Sequence, residues 1–305
     1  MNLLNEPESC TLCPRECDVN RTLSPSGFCN NSLNIKAALA SVHYFEEPSV
    51  SGTNGSGTIF FSGCNMKCIF CQNYDISQFN KGIAISVSDL AKTMILQQEK
   101  GVHNINLVSG GHFIPQIKEA LKTAKSMGLE IPIVYNSNGY EKAETLKSLD
   151  GLIDVYLPDI KYFSDEYAVK YSSAPNYFAN ASAAVLEMYR QAGKNIFSPD
   201  GLIKKGVIIR HLVLPGLKED SKKILLWIKE NIGHNAYISL MSQYTPMYRA
   251  LNTKPLNRKI TTYEYQNVID YFFKIGLKNG YMQERSSANK IYTPNFDFSG
   301  LIKGD

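Results

Sequence analysis

The 305-residue sequence has no cysteine after residue 71, a single tryptophan and no uninterrupted apolar run of about 18 residues. The missing apolar run argues against a membrane-spanning helix, so we expect no membrane partner. No G-x-x-x-x-G-K-S/T segment occurs, which excludes a P-loop for nucleotide phosphates. The first ten residues contain no basic stretch followed by an apolar one, so they do not resemble a secretory signal.

Charge of one sign is not in large excess either. The 32 Lys and Arg residues against 28 Asp and Glu residues leave a net charge of +4. That balance is too mild to indicate a nucleic-acid partner, and we expect none. Hydrophobic residues at 44% and charged residues at 20% are typical of a folded globular chain.

Seven cysteines are present, and all of them lie in the first 71 residues. A secreted disulfide framework normally has an even number of cysteines spread over the fold that it cross-links. An odd number confined to one end favours metal binding instead. We therefore predict a cytoplasmic protein whose thiols hold a metal or a metal cluster.

From residue 58 onward, short apolar segments alternate with helical patterns. Strands are predicted at 58–61, 105–108, 131–135, 153–157, 207–214 and 236–241. Helices are predicted at 87–95, 114–124, 181–192, 220–231 and 262–274. Six strand-then-helix units predict an α/β fold with a parallel sheet. Six units are too few for a closed eight-unit barrel, so an open partial barrel and a doubly wound sheet both remain.

Cys64, Cys68 and Cys71 form a C-x3-C-x2-C motif directly after the first predicted strand. Structural zinc sites and iron–sulfur clusters commonly have four cysteine ligands, so three thiolates on one loop leave a coordination position open. A zinc site completed by a distant histidine, or three unrelated buried thiols, are the alternatives.

This motif, the aromatic Phe70 before its last cysteine and the Cys71-Gln72-Asn73 continuation resemble the radical SAM superfamily. With the N-terminal CTLCPREC segment, they resemble the glycyl-radical-enzyme activases, the pyruvate formate-lyase activating enzyme homologues. The resemblance implies a partial (βα)6 TIM-like barrel with a Cys-rich N-terminal extension. It also implies that the three cysteines ligate a [4Fe–4S] cluster whose fourth iron is chelated by S-adenosylmethionine.

The resemblance further implies that cofactor-binding residues lie at the strand ends, and these are Phe70, Asn73, Gly110, Gly111, Asn136, Asn138, Asp159, Lys161, His211 and Tyr244. The chain departs from the family pattern at three of these strand ends. His112 replaces the glutamate of a G-G-E motif, and Asn136 stands where relatives carry aspartate. Tyr244 stands where activases place a histidine, so only the position is carried over there.

Two of these strand ends also stand out by their residue types alone. Asp159 and Lys161 are two apart, so both side chains point to the same side of the fourth strand. A buried carboxylate and ammonium are costly unless they are paired or hold a ligand, and a structural ion pair is the alternative. Arg210 and His211 are adjacent in the fifth strand, so one of them points inward, and the sequence does not say which.

The remaining cysteines, Cys10, Cys13, Cys17 and Cys29, have the spacing C-x2-C-x3-C-x11-C. Four thiols suffice for a closed site, either structural zinc or an auxiliary iron–sulfur cluster, and spacing does not choose between them. We therefore predict a Cys-rich metal-binding extension at 1–45 and a radical SAM domain at 46–305. The polar cluster His43, Glu46 and Glu47 is interpreted as a solvated turn, and a role near the iron–sulfur cluster is the alternative.

The resemblance implies an enzyme that reductively cleaves S-adenosylmethionine to a 5′-deoxyadenosyl radical, which abstracts a hydrogen atom from a glycine Cα of a glycyl-radical enzyme. The implied partners are that protein and an electron donor such as flavodoxin or ferredoxin. Two alternatives stay open. One is a radical SAM enzyme acting on a small molecule or another protein side chain, and the other is a non-catalytic metal-knuckle binding protein.

Overall fold

Parallel strands form the sheet that positions the rest of the chain. The computed structural model describes residues 9–22, 24–284 and 293–304. In chain order the strands are β1 (Ile35–His43), β2 (Ser56–Phe61), β3 (Ile83–Ile85), β4 (Ile105–Val108), β5 (Ile133–Ser137), β6 (Val155–Pro158), β7 (Ile196–Phe197), β8 (Ile203–Leu212), β9 (Tyr237–Met241) and β10 (Asn279–Met282).

The strands lie in the order β10-β9-β8-β6-β5-β4-β2-β1-β3, and the short β7 pairs only with β8. All neighbours from β10 to β2 are parallel, whereas β1 is antiparallel to both β2 and β3. The two ends of this order are not paired with each other in the described chain, so the sheet is an open partial barrel. The predicted fold class is confirmed.

The helices are α1 (Pro48–Ser51), α2 (Tyr74–Ser77), α3 (Val87–Glu99), α4 (Ile114–Ser126), α5 (Ala143–Leu146), α6 (Asp165–Ser172), α7 (Tyr177–Ala192), α8 (Lys218–Asn231) and α9 (Thr262–Lys274). α3 begins at a capping box, in which the Ser86 hydroxyl accepts from the Asp89 amide and the Asp89 carboxylate accepts from the Ser86 amide. Thr261 and Glu264 form the same arrangement before α9. The five predicted helices correspond to α3, α4, α7, α8 and α9, so these predictions are confirmed.

The six predicted strands correspond to β2, β4, β5, β6, β8 and β9 and are likewise confirmed. Sequence analysis missed β10, because its Asn-Gly-Tyr-Met segment is short and half polar. Gly280 has φ +139°, and a Cβ there would lie 1.8 Å from the Ile238 carbonyl oxygen. Only glycine therefore lets this strand approach β9 closely enough to pair with it.

Part of the predicted extension at 1–45 belongs to the sheet. β1 pairs with β2 from Ala37↔Phe61 to His43↔Ser56 and with β3 at its other end. The four cysteines of the extension precede β1, in a segment where the Thr145 hydroxyl donates to the Leu12 carbonyl oxygen at 2.8 Å. The domain division at residue 45 stays a prediction.

None of the helices in the described ranges is both long enough and apolar enough to cross a bilayer.

Candidate functional site

A cavity of about 250 Å³ opens at the carboxyl ends of the parallel strands. In barrels of this kind, that end of the sheet holds the active site. Ten of the predicted barrel residues line the cavity, namely Cys64, Cys68, Phe70, Cys71, Asn73, Asn136, Asn138, Asp159, Lys161 and Tyr244. They come from four different strand ends, those of β2, β5, β6 and β9, and the parallel order of the sheet brings them together.

Each of the three thiols on the loop after β2 has a polar neighbour. The Asn138 amide donates to Cys64 Sγ at 3.4 Å, and the Ser172 hydroxyl donates to Cys68 Sγ at 3.0 Å. Cys71 Sγ lies 3.2 Å from the Ser77 hydroxyl oxygen.

Hydrogen bonds to sulfur orient thiolate ligands and adjust the potential of a bound iron–sulfur cluster. The three thiols that bear these contacts, those of Cys64, Cys68 and Cys71, therefore suit such a group.

Burial keeps two thiols of this loop, those of Cys68 and Cys71, protonated in the absence of metal. It raises the pKa of Cys68 to about 12 and also raises the pKa of Cys71 above its ordinary value. A metal cluster binds thiolates, so its insertion releases protons from this loop.

As the side chains stand, no three His, Cys, Asp or Glu residues of the described ranges are grouped to hold one metal ion. In a [4Fe–4S] cluster each thiolate binds a different iron atom, so the sulfur atoms lie farther apart than around a single ion. Cys64, Cys68 and Cys71 are therefore not arranged as a single-ion site in the described chain.

A chain of buried charges crosses the cavity. Lys161 pairs with one oxygen of Asp159, and Arg210 Nε donates to the other at 3.0 Å. Arg210 Nη1 lies 3.2 Å from Glu46 Oε2, and Nη2 donates to Asn136 Oδ1 at 2.6 Å. Every hydrogen-bonding side of the guanidinium is therefore directed at an oxygen acceptor of the cavity wall.

The groups in this chain of buried charges shift one another's pKa values. Burial alone would raise the pKa of Asp159, but Arg210 and Lys161 outweigh it and hold that pKa below its ordinary value. Burial raises the pKa of Glu46 despite the attraction of Arg210. For Lys161, the attraction of Asp159 outweighs burial and raises the pKa. Asp159 and Lys161 are therefore charged at neutral pH, while Glu46 is the group most easily protonated.

Glu46 corrects one interpretation made from the sequence. The segment with Glu46 and Glu47 is not a solvated turn, because the Glu46 side chain is 11% exposed and reaches the cavity. His43 pairs with Ser56 at the start of β2, so Glu46 enters the barrel interior from the amino ends of the parallel strands. The local polar cluster does not reveal the partner of Glu46, and only the antiparallel course of β1 brings this residue beneath Arg210.

His211 is also corrected. Its ring nitrogens contact the Ile160 carbonyl oxygen at 2.6 Å and the Ser221 hydroxyl at 2.8 Å, outside the cavity. Adjacent residues of a strand face opposite sides, so Arg210 faces the barrel interior and His211 faces the helix layer.

The two predicted glycines pack against protein rather than against the cavity. A Cβ on Gly110 would lie 2.5 Å from Ile117 Cδ1, and a Cβ on Gly111 would lie 2.5 Å from Glu141 Oε2. Ser109, with φ +58°, is the residue of this turn that lines the cavity.

Two aromatic rings close one side of the cavity. The rings of Phe70 and Tyr244 meet edge to face with centroids 5.8 Å apart, and the Tyr244 hydroxyl donates to the Leu256 carbonyl oxygen at 2.6 Å. That hydrogen bond fixes the tyrosine ring, so the pair presents a rigid apolar wall next to the thiols.

The predicted N-terminal cysteines converge as well. Cys10, Cys13, Cys17 and Cys29 are free thiols that line a second, much smaller cavity of about 10 Å³. His112 borders the same cavity, and its Nε2 lies 2.8 Å from the Ser62 carbonyl oxygen.

Comparison with known proteins agrees with this geometry. The family model of the Radical SAM superfamily matches residues 58–228. An uncharacterized protein of Methanocaldococcus jannaschii is 34% identical over 280 residues, which are 88% of this chain and 76% of that protein. The pyruvate formate-lyase 1-activating enzyme of Escherichia coli K12 is 25% identical over 196 residues, 60% of this chain and 72% of that enzyme.

Among solved structures, a FeFe-hydrogenase maturase from Carboxydothermus hydrogenoformans has a TM-score of 0.50 at 14% identity. The match covers 70% of this chain and 49% of the maturase, so this chain spans about half of its length and the likeness concerns the fold alone. The family model covers more than half of this chain, and the archaeal relative is similar over most of both sequences. The chain therefore belongs to the Radical SAM superfamily.

Proposed function

We propose that the cavity binds S-adenosylmethionine beside a [4Fe–4S] cluster held by Cys64, Cys68 and Cys71, and that the chain activates a glycyl-radical enzyme. The observation that carries the first part is the shared cavity, which three thiols and a buried chain of charges line together. Membership of the superfamily implies both groups. When bound, the reduced cluster supplies the electron that cleaves S-adenosylmethionine into methionine and a 5′-deoxyadenosyl radical.

The chain of charges suits the methionyl part of the cofactor, which carries an amino group, a carboxylate and a sulfonium. Lys161 and Arg210 offer donors to a carboxylate, while Asp159 accepts from an amino group or from ribose hydroxyls. Arg210 is already held by three acceptors, so its main part is to orient Asp159, and Lys161 is the freer cation.

The other lining residues complete the binding site. The rings of Phe70 and Tyr244 offer an apolar wall to the adenine, and Asn73 and Asn136 offer amide groups to its polar edge and to the ribose. Asn138 already donates to Cys64 Sγ, so its part is to orient that ligand.

The glycine substrate is proposed on two grounds. The similarity to the activating enzyme of Escherichia coli extends over 60% of the chain. The sheet is open in the described chain, and an open barrel leaves a lateral gap through which a loop of a partner protein can reach the cavity. The second candidate is hydrogen abstraction from a small molecule, for which the cavity of about 250 Å³ leaves little room beside the cofactor.

We also propose an electron donor, a location and a second metal site for the enzyme. Flavodoxin or ferredoxin would supply single electrons, and a cytoplasmic location would keep the seven thiols reduced. The four N-terminal cysteines would form a second metal site, holding either zinc or an auxiliary cluster. Their convergence on one cavity supports this proposal.

The deciding experiment mixes the reduced enzyme, S-adenosylmethionine and a glycyl-radical enzyme of the same cell under anaerobic conditions. Activation predicts a persistent doublet in electron paramagnetic resonance, which collapses when the glycine Cα is deuterated. A Cys64→Ala variant serves as the matched control and should give no signal. Cleavage that stays uncoupled with every such protein but accelerates with a metabolite would favour the small-molecule candidate.

A further inference from the structure

The four N-terminal thiols share their cavity with a buried arginine. Arg21 is 1% exposed, and its Nη1 lies 3.9 Å from Cys10 Sγ. Its other contacts are carbonyl oxygens, those of Asn31 at 3.2 Å, His112 at 2.9 Å and Ser32 at 2.8 Å. No carboxylate of the described residues forms a salt bridge with it.

A buried guanidinium without a counter-charge is costly, and carbonyl oxygens compensate it only in part. Four thiolates on a [4Fe–4S] core or on zinc give a centre with a net charge of about −2. A second cation, the guanidinium of Arg15, also borders the cavity and lies 3.5 Å from the centroid of the Phe28 ring. The charges around the cavity therefore match four metal-bound thiolates rather than four free thiols.

The spacing of the sulfur atoms distinguishes a cluster from zinc. With Zn–S bonds of about 2.3 Å, tetrahedral zinc places its sulfur atoms about 3.8 Å apart, in mutual contact. The thiols instead surround a space of about 10 Å³, roughly the room of one water molecule. No three of them are grouped to hold a single ion. The space between the thiols and the lack of a three-residue group favour ligands of separate iron atoms over ligands in contact around one ion.

One residue links this cavity to the barrel site. Asn65 follows Cys64 directly in the sequence, and its carbonyl oxygen accepts from Nε of Arg15, which lines the second cavity, at 2.8 Å. Arg15 is two residues from Cys13, so the two groups of cysteines lie on contacting segments of the backbone. The backbone is equally close, because a Cβ on Gly63 would lie 2.6 Å from the Cys29 carbonyl oxygen.

We propose that Cys10, Cys13, Cys17 and Cys29 bind a second [4Fe–4S] cluster, which passes single electrons to the barrel site. The proposal rests on the proposed function and extends it to the route of the electron. A reduced carrier of the flavodoxin or ferredoxin class would lose one electron to the second cluster. That electron would then pass to the cluster on the barrel cysteines, where the backbone at Gly63 approaches the Cys29 carbonyl oxygen, and no bond would change in either step.

Metal analysis of the full chain, purified anaerobically, gives the first test. We expect about eight iron and eight sulfide per chain and no stoichiometric zinc. A Cys10→Ala/Cys17→Ala double variant should keep about four of each. One zinc per chain with four sulfur neighbours at about 2.3 Å in X-ray absorption would overturn the proposal. A wild-type iron content equal to that of the double variant would overturn it as well.

Electron paramagnetic resonance tests the electron route. After reduction with dithionite, two paramagnetic clusters held by contacting backbone segments should give a broadened, magnetically coupled spectrum. The double variant and a Cys68→Ala variant each keep one cluster and should give narrow signals. If the double variant does not fold, the wild type and Cys68→Ala still provide the comparison.

A wild-type spectrum without coupling, equal to the sum of two isolated signals, would refute the route. Neither the metal analysis nor the resonance experiment uses a partner protein or turnover. A negative result in either one is therefore distinct from a failure to activate a glycyl-radical enzyme.

Discussion

Replacing Arg210 by glutamine tests the buried chain of charges most directly. The guanidinium is 14% exposed and contacts Asp159 at 3.0 Å, Glu46 at 3.2 Å and Asn136 at 2.6 Å. Removing one partner of a buried ion pair costs about 3–5 kcal/mol, because a charge is left buried without compensation. Lys161 still compensates Asp159 in the variant, so we expect Arg210→Gln to lose about 3–5 kcal/mol of unfolding free energy at neutral pH rather than more.

The loss should depend on pH in a defined direction. The lowered pKa of Asp159 means that its stabilising contribution is present above its ordinary pKa and is lost as pH falls through the lowered value. Without the guanidinium, the already raised pKa of Glu46 rises further, and protonation relieves the remaining repulsion. The deficit of Arg210→Gln relative to the wild type should therefore shrink as the pH falls from about 8 to about 5.

The assay is urea unfolding of the metal-free protein followed by circular dichroism, with equal m values as the condition for comparison. Arg190→Gln is the matched control, since that side chain is 53% exposed and pairs with Asp150 at 2.7 Å and Glu187 at 2.8 Å. Its pair with Asp150 is exposed on both sides, and an exposed pair of this kind stabilises a fold little. If Arg210→Gln lost no more than Arg190→Gln, or if its deficit did not change with pH, the charge argument would be refuted.

Three further predictions concern individual side chains. Cys68→Ala should lose the barrel cluster and all cleavage of S-adenosylmethionine, and cleavage by a variant without residual iron would contradict the ligand assignment. Lys161→Ala should weaken S-adenosylmethionine binding by about 1.5–3 kcal/mol in calorimetry, whereas unchanged affinity would make the pair with Asp159 purely structural. Burial raises the pKa of Glu141 to about 7. The stabilising contribution of Glu141 is therefore present below its ordinary pKa and is lost as pH rises through about 7. Glu141→Gln should therefore reduce the change of the urea unfolding midpoint between about pH 5 and about pH 8.

Local patterns explain what sequence analysis could predict about the fold. The strands that it found are apolar runs bounded by turn residues, and the helices have regular apolar spacing with a cap at the start. β10 was not predicted because its Asn-Gly-Tyr-Met segment has neither an apolar run nor a regular apolar spacing. Its pairing with β9 depends on the lack of a side chain at Gly280. β1 was not predicted because residues 1–45 were assigned as a whole to a metal-binding extension, on the basis of the cysteines that precede β1.

In the candidate site too, some residues could be predicted from local spacing and others could not. Asp159 and Lys161 were found because a two-residue spacing in a strand decides by itself that both face one side. The same alternation showed that Arg210 and His211 face opposite sides, but not which of them faces the cavity. That choice depends on how β8 sits between β6 and β9. The contact of Glu46 with Arg210 was missed because Arg210 is 164 residues away in the chain.

By itself, the sequence determined the three-thiol loop, the four N-terminal cysteines and the six-fold alternation of strands and helices, because each is set by residues close together in the chain. Only the tertiary structure decided that Glu46 enters the barrel from the amino ends of the strands, that Arg210 joins it to Asp159, and that Arg15 of the N-terminal cysteine segment contacts Asn65 beside Cys64. Such contacts depend on the strand order and on the antiparallel course of β1. Those are fixed by the packing of the whole sheet, and no local spacing encodes them.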